Sequence, residues 1–169
     1  MPRSTFSRKR DLTYLTFFLI HIPIVFFVDS APLWPEALKP TFMTTLRTFY
    51  IETYHDQFFT SPPAWFTMYM WMDVLYHVPL SIWAVGALLR DDPRLPIHLL
   101  VYAVQTAITT STCISDYLGW DDFSNAEKIE LGKLYVPYLA VSVFMGVDMY
   151  ARLTSRLGGG SMSSQKKVM

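Results

Sequence analysis

Little in this chain invites covalent or metal chemistry. A single cysteine, Cys113, excludes an intrachain disulfide. The lone asparagine, Asn125, is followed by Ala126 and Glu127, so no N-glycosylation sequon exists. Neither sign of charge is in surplus. The 14 Lys and Arg are matched by 14 Asp and Glu, which leaves no basic excess to recruit nucleic acid. No CxxC or HExxH spacing supports a metal centre, and no cofactor is implied. Nothing between residues 1 and 151 reads as a repeat or a second domain, and without an inverted repeat a channel or transporter finds little support.

What the sequence has instead is long stretches that lack charge. Residues 12–28 carry none with His21 neutral, residues 64–89 carry only Asp73, and residues 95–115 carry none. Residues 134–151 are interrupted only near their end, by Asp148. Half of the chain is hydrophobic and 16% is aromatic, too apolar for an ordinary soluble domain. At 1.5 Å per residue, about 20 residues cross a ~30 Å hydrocarbon core. The first three runs suffice, and the fourth does if Lys133 and Asp148 reach out to the headgroups. The expected fold is all-α: a four-helix transmembrane bundle of kinked helices around an internal cavity. Its spans fall at about 12–29, 64–89, 95–116 and 133–151. A cytosolic segment 1–11, a lumenal loop 30–63 and a flexible cytosolic tail 152–169 complete it. The basic start Arg8, Lys9, Arg10 also suits a signal peptide, but the apolar run exceeds the usual 7–15 residues and "DSAPLW" is a poor cleavage site.

Lys and Arg placement sets orientation. Arg3, Arg8, Lys9, Arg10, Arg90, Arg94, Arg152, Arg156, Lys166 and Lys167 fall on one side, and Lys39, Arg47, Lys128 and Lys133 on the other. Both termini are therefore expected in the cytosol. Lys166 and Lys167 of "KKVM" then match a di-lysine retrieval signal of the endoplasmic reticulum; an ordinary basic tail after the "GGGSMSSQ" linker is the alternative.

Polar groups gather toward the lumenal half. Asp29 closes the first span, with His21 about 12 Å deeper. Asp73 and His77 enter the second span, and Gln105, Thr106, Thr109, Thr110, Ser111 and Thr112 run along the third. Facing lipid they would go unsatisfied, so they are expected to turn inward. Pro23, Pro79 and Pro137 each free a carbonyl one turn back, which serves either packing or a cavity. In the loop, Phe42, Leu46, Phe49 and Tyr50 recur at helical spacing, predicting a short interfacial helix over the bundle mouth. Asp73 and His77, four apart, are neighbours on a helix. Three readings stay open for them: a polar pair gluing helices, a two-ligand metal fragment, or a grip on a ligand's polar end.

Four collinear stretches, "FLIHIPIVFFVD", "SPPAWF", "VYAVQTAITT" and "LYVPYL", resemble the EXPERA family over residues 12–151, nearer its fungal and receptor branches than its isomerase branch. The resemblance implies a homodimeric protein of the endoplasmic reticulum whose cavity opens toward the bilayer and accepts a sterol or lipophilic amine. It places an anchoring pair of acids at Asp29 and Asp56, a further pocket acid at Asp73, and pocket positions at His77, Thr109 and Tyr138. It implies no enzymatic role but a regulator or chaperone in sterol and lipid homeostasis, or in protein targeting, since fungal members assist delivery of mitochondrial precursors. Membrane lipids and other membrane proteins are the expected partners, and nucleic acid is not. A sterol double-bond isomerase is the alternative, with Asp73 and His77 as acid and base.

Overall fold

The computed structural model describes residues 8–165. Every regular element among them is helical. Helix α1 (Lys9–Ile24) runs on through a π turn (Val25–Asp29), and two 3₁₀ turns (Ala31–Leu33, Glu36–Leu38) lead to α2 (Thr41–Tyr54) and the single-turn α3 (Gln57–Thr60). Helix α4 (Ala64–Met72), a second π turn (Asp73–His77) and α5 (Val78–Arg90) form one continuous rod. Helices α6 (Leu95–Leu118) and α7 (Asn125–Gln165) follow. Four rods, Lys9–Asp29, Ala64–Arg90, Leu95–Leu118 and Asn125–Gly158, are long and apolar enough to cross a membrane. The four-helix transmembrane architecture and the helix within the 30–63 connection are as expected.

Local chemistry fixes the boundaries. Pro63 precedes α4 and Pro96 sits in the first turn of α6, where a missing N–H costs nothing. Ser124 and Glu127 cap α7 reciprocally: the Glu127 carboxylate accepts from the Ser124 N–H at 2.9 Å, and Ser124 Oγ accepts from the Glu127 N–H at 3.3 Å. Helix α2 ends on His55, whose left-handed φ of 52° turns the chain back. Pro79 lacks an N–H and its ring crowds the carbonyl of Leu75; the π turn just before it absorbs that conflict.

Two cores form, one above the other. Tyr14, Phe18, Ala84, Leu88, Leu99 and Met145 join α1, α5, α6 and α7 at the end carrying residue 8. Phe58, Phe66, Met70, Cys113, Tyr117 and Leu131 join α3, α4, α6 and α7 under the 30–63 connection. The level between them is left to the site described below.

At the first end the structure departs from expectation. Asp148 does not reach outward: its side chain is buried, accepting from Arg10 at 2.7 Å, from the Tyr14 hydroxyl at 2.9 Å and pairing with Arg152 at 2.7 Å. Asp11, equally buried, pairs with Arg8 and with Arg152 at 2.7 Å. Two acids and three arginines neutralise each other there, which lets formal charge sit inside. Lys133 is exposed and pairs with Glu130. Helix α7 continues past 151, where a flexible tail was expected, because Arg152 is locked into this cluster and Arg156 donates to the Pro93 carbonyl at 2.5 Å. Lys166 and Lys167 of the retrieval signal lie outside the described residues. On α6, Thr106 and Thr110 turn inward, but Ser111 faces out. A 3.6-residue period cannot bring six polar positions spread over residues 105–112 to one face.

Candidate functional site

Between the two cores lies a pocket of about 560 Å³, within the usual size of small-molecule sites. Its walls come from α1, α4 with its π turn, α6 and α7, and α2 covers it. It is a recess rather than a sealed chamber, because exposed Ile20, Ile24, Leu46 and Phe49 belong to its lining. Most of that lining is apolar, with Val25, Phe66 and Met70 prominent.

Five of the six predicted ligand-binding residues line it: Asp29, Asp73, His77, Thr109 and Tyr138. Both π turns serve this arrangement, since Asp29 ends the first and Asp73 and His77 bound the second. Such insertions re-aim side chains and concentrate at functional sites. Asp29 has no hydrogen bond or ion pair among the described residues, so its carboxylate faces the pocket unspent. Its electrostatic neighbours are the carboxylates of Asp73 and Asp56 and the guanidinium of Arg47 of α2. Burial pulls that guanidinium's pKa down, and the Asp29 carboxylate pulls it back up. Arg47 donates to the Phe59 carbonyl at 2.6 Å and lies 5.3 Å from the Phe59 ring centroid, while its Nη1 is buried without a partner.

Asp73 and His77 answer to one another. Nδ1 of His77 is 2.5 Å from Oδ1 of Asp73, the spacing that i and i+4 positions permit. The imidazole is buried, its Nε2 has no partner, and Tyr102 crosses it edge-on at 4.9 Å. Only two metal-ligand types meet here, and no group of three His, Cys, Asp or Glu converges among the described residues.

The sixth residue, Asp56, stands behind the wall. It is fully buried, caps α3 by accepting the Phe58 N–H at 2.9 Å, and accepts the hydroxyls of Tyr50 at 2.8 Å and Tyr135 at 3.0 Å. Burial pushes its carboxyl up, and those three donors draw it back. It therefore positions two tyrosines that line the pocket; its hydrogen bonds go to them and not to Asp29.

Sequence reasoning passed over Tyr50 and Tyr135 as site residues, and also His21 and Thr106. Tyr135 lies three residues before Tyr138, on the same helical face, which is a readable signal. His21 is an imidazole in a charge-free run. It stacks on Phe17 at 5.2 Å and meets the Tyr138 hydroxyl at 3.3 Å from Nδ1. Tyr50 gave no such hint, since its role depends on where Asp56 folds.

Comparison with known proteins adds a lineage. Residues 42–149 match the family model described as EXPERA (EXPanded EBP superfamily). The chain is 27% identical over 146 residues to human Sigma intracellular receptor 2, an alignment covering 79% of this chain and 82% of the relative. It is 29% identical over 145 residues to Efficient mitochondria targeting-associated protein 19 of Schizosaccharomyces pombe, covering 85% and 76%. The Saccharomyces cerevisiae protein of the same name is 24% identical over 147 residues, covering 78% and 91%.

Proposed function

The chain belongs to the EXPERA family of multi-pass membrane proteins, and from that premise we propose that it binds a sterol or a lipophilic amine in the pocket between its two cores. The observation that carries this reading is the unspent Asp29 carboxylate on the wall of an otherwise apolar recess. A half-buried carboxylate without a partner in an apolar recess is costly, and a ligand ammonium or hydroxyl offsets that cost. The apolar body of the ligand supplies the remaining affinity at about 25 cal/mol per Å² removed from water. Asp29 holds the polar end, Asp56 holds Tyr50 and Tyr135 in place, and Asp73, His77, Thr109 and Tyr138 form the wall. The rim between exposed Ile20 and Leu46 suits a ligand arriving from the bilayer.

The protein works, in this reading, as a non-enzymatic homodimer of the endoplasmic reticulum membrane with both termini in the cytosol, a regulator or chaperone in sterol and lipid homeostasis. The names of the two yeast relatives support a share in protein targeting to mitochondria. Lipid mass spectrometry on purified protein tests the central claim. A sterol or amine is expected to co-purify with the wild type and to be depleted from Asp29→Asn. Equal recovery from both proteins refutes the role of Asp29.

One observation favours a second reading, sterol double-bond isomerisation. The Asp73–His77 pair, with an Nε2 that has no hydrogen-bond partner, has the composition of an acid–base dyad. Against it, the extra helix and acid-rich motifs of the isomerase branch are missing from this sequence. Growth of a sterol-isomerase-deficient strain carrying this chain, lost on Asp73→Ala, decides for catalysis; no growth decides against it.

A further inference from the structure

Helix α2 carries an apolar flank that the described residues leave bare. Its inner stripe, Met43, Arg47, Tyr50 and Tyr54, is buried or half-buried against the bundle. About 100° round the helix from that stripe, Phe42, Leu46 and Phe49 are 48%, 44% and 64% exposed. The remaining surface is nearly free of charge. Thr41, Thr44, Thr45 and Thr48 are exposed there with Glu52 as the one acid, while Arg47 turns in to donate to the Phe59 carbonyl.

This flank is continuous with the apolar belt of the first rod. The Phe42 ring lies 5.1 Å from that of Phe27, which packs on exposed Phe26. Leu46 and Phe49 share the pocket rim with exposed Ile20 and Ile24. Phe27 is two residues inside the end of the Lys9–Asp29 span, about 3 Å below it, so α2 lies at the boundary of headgroups and acyl chains. In-plane amphipathic helices bind at that level through apolar burial plus attraction between basic residues and anionic lipid. With threonine on its polar face, α2 lacks the second contribution. Its insertion therefore depends on the room its apolar side chains find among the acyl chains.

The helix is also fastened at one end only. Arg47 donates to the Phe59 carbonyl, Tyr50 to Asp56, and His55 at the C-cap lies 3.7 Å from Glu127. Among the described residues, 41–46 have no side-chain hydrogen bond to another element; Thr45 donates back to the Thr41 carbonyl at 3.2 Å. Met43, 0% exposed, and the contact of Phe42 with Phe27 hold that half down. Lipid tails are as apolar as these partners and replace them at little cost.

We propose that α2 is a cover that senses lipid packing in the leaflet at the Asp29 end. A loosely packed leaflet takes up Phe42, Leu46 and Phe49, draws the free half of the helix off the rods and opens the pocket mouth. A tightly packed leaflet leaves it seated. Packing of the bilayer thereby sets access to the pocket, whatever the pocket binds.

The chain's single thiol, Cys113, is 5% exposed and lines the pocket, so its alkylation reports opening. The purified full chain is placed in nanodiscs of dioleoyl-phosphatidylcholine or of the more tightly packed palmitoyl-oleoyl lipid, without sterol or amine, and N-ethylmaleimide labelling is timed by mass spectrometry. Labelling is expected to be roughly fivefold faster in dioleoyl discs, the factor given by about half the burial of one Phe or Leu side chain. The ratio cancels the thiol's own reactivity. Phe42→Ser combined with Phe49→Ser is expected to bring the ratio to one, whatever the absolute rate. Thr44→Lys with Thr48→Lys changes exposed positions only and serves if the serine pair fails to fold. With phosphatidylserine in both discs, charge then holds α2 in the leaflet, and fast labelling is expected in both. Equal wild-type rates overturn the proposal and leave the flank to a protein partner. A ratio that survives in whichever pair folds overturns it too, because the whole bundle and not α2 would then be loosening.

Discussion

Replacing Asp56 separates a ligand contact from a support behind the wall. The carboxylate answers three donors, with Oδ2 accepting both tyrosine hydroxyls and Oδ1 accepting the Phe58 N–H. Asp56→Ala leaves one buried and two half-buried donors unpaired; at about 1–3 kcal/mol for the first and about 1 kcal/mol for each of the others, a loss of about 3–5 kcal/mol is expected, a large part of a typical domain's stability. Asp56→Asn is milder. Its carbonyl keeps the cap on Phe58 and its amide donates to a tyrosine hydroxyl that rotates to accept, for about 1–2 kcal/mol. For a chain of this length that lowers the unfolding midpoint by about 2–8 °C. Because Asp56 is 0% exposed and screened from the pocket by Tyr50 and Tyr135, affinity for a cationic amphiphile should fall by less than about fivefold, whereas Asp29→Asn should abolish it. Thermal unfolding in detergent and competition binding of a lipophilic amine read the two quantities on the same preparations. If Asp56→Asn unfolds like wild type and loses binding as completely as Asp29→Asn, the assignment to a supporting role is wrong.

Three further outcomes follow from the same geometry. Arg47→Met removes the one cation coupled to Asp29 and should raise affinity for a lipophilic amine roughly three- to tenfold; an unchanged or weaker affinity in competition binding counts against that coupling. Asp148→Ala strands Arg10 and Tyr14, leaves Arg152 to Asp11 alone, and should cost about 3 kcal/mol, the low end for a broken buried pair because Arg10 is 67% exposed. Thermal unfolding reads it, and a midpoint within 1 °C of wild type, on the order of measurement error, rejects the cluster as a lock. Tyr50→Phe with Tyr135→Phe leaves Asp56 with only its backbone donor and should destabilise by about 2 kcal/mol, again by thermal unfolding; no change would mean the tyrosines are held by ring packing alone.

The four rods were legible because lipid imposes one rule on sequence, long runs without charge, and residues 12–28 and 95–115 obey it without exception. The covering helix was legible from the spacing of Phe42, Leu46 and Phe49, and α2 carries Leu46 and Phe49 to the rim. Where the reading faltered, the cause was tertiary. Asp148 resembled a headgroup-seeking charge because its partners, Arg10 and Tyr14, are more than a hundred residues away. Asp56 resembled a ligand acid because nothing local announces that Tyr135 comes to meet it. The π turns were not legible at all, since propline-adjacent strain can be relieved by a kink or by an inserted residue with equal economy of sequence.

Those π turns explain why a recess exists at this level. A bundle of uninterrupted helices closes by interdigitating side chains along its whole length, and the two cores do this above and below. Between them the second rod inserts one extra residue, so the facial register that serves one core is offset before the other begins, and the first rod ends in a turn of the same kind. Side chains that would have met across the axis no longer do, and polar residues displaced from the helical stripe turn into the gap. Asp29, Asp73 and His77 all lie within the inserted turns. The acids and the space they face thus share one origin in the backbone, and a change that restored regular helix there would remove both together.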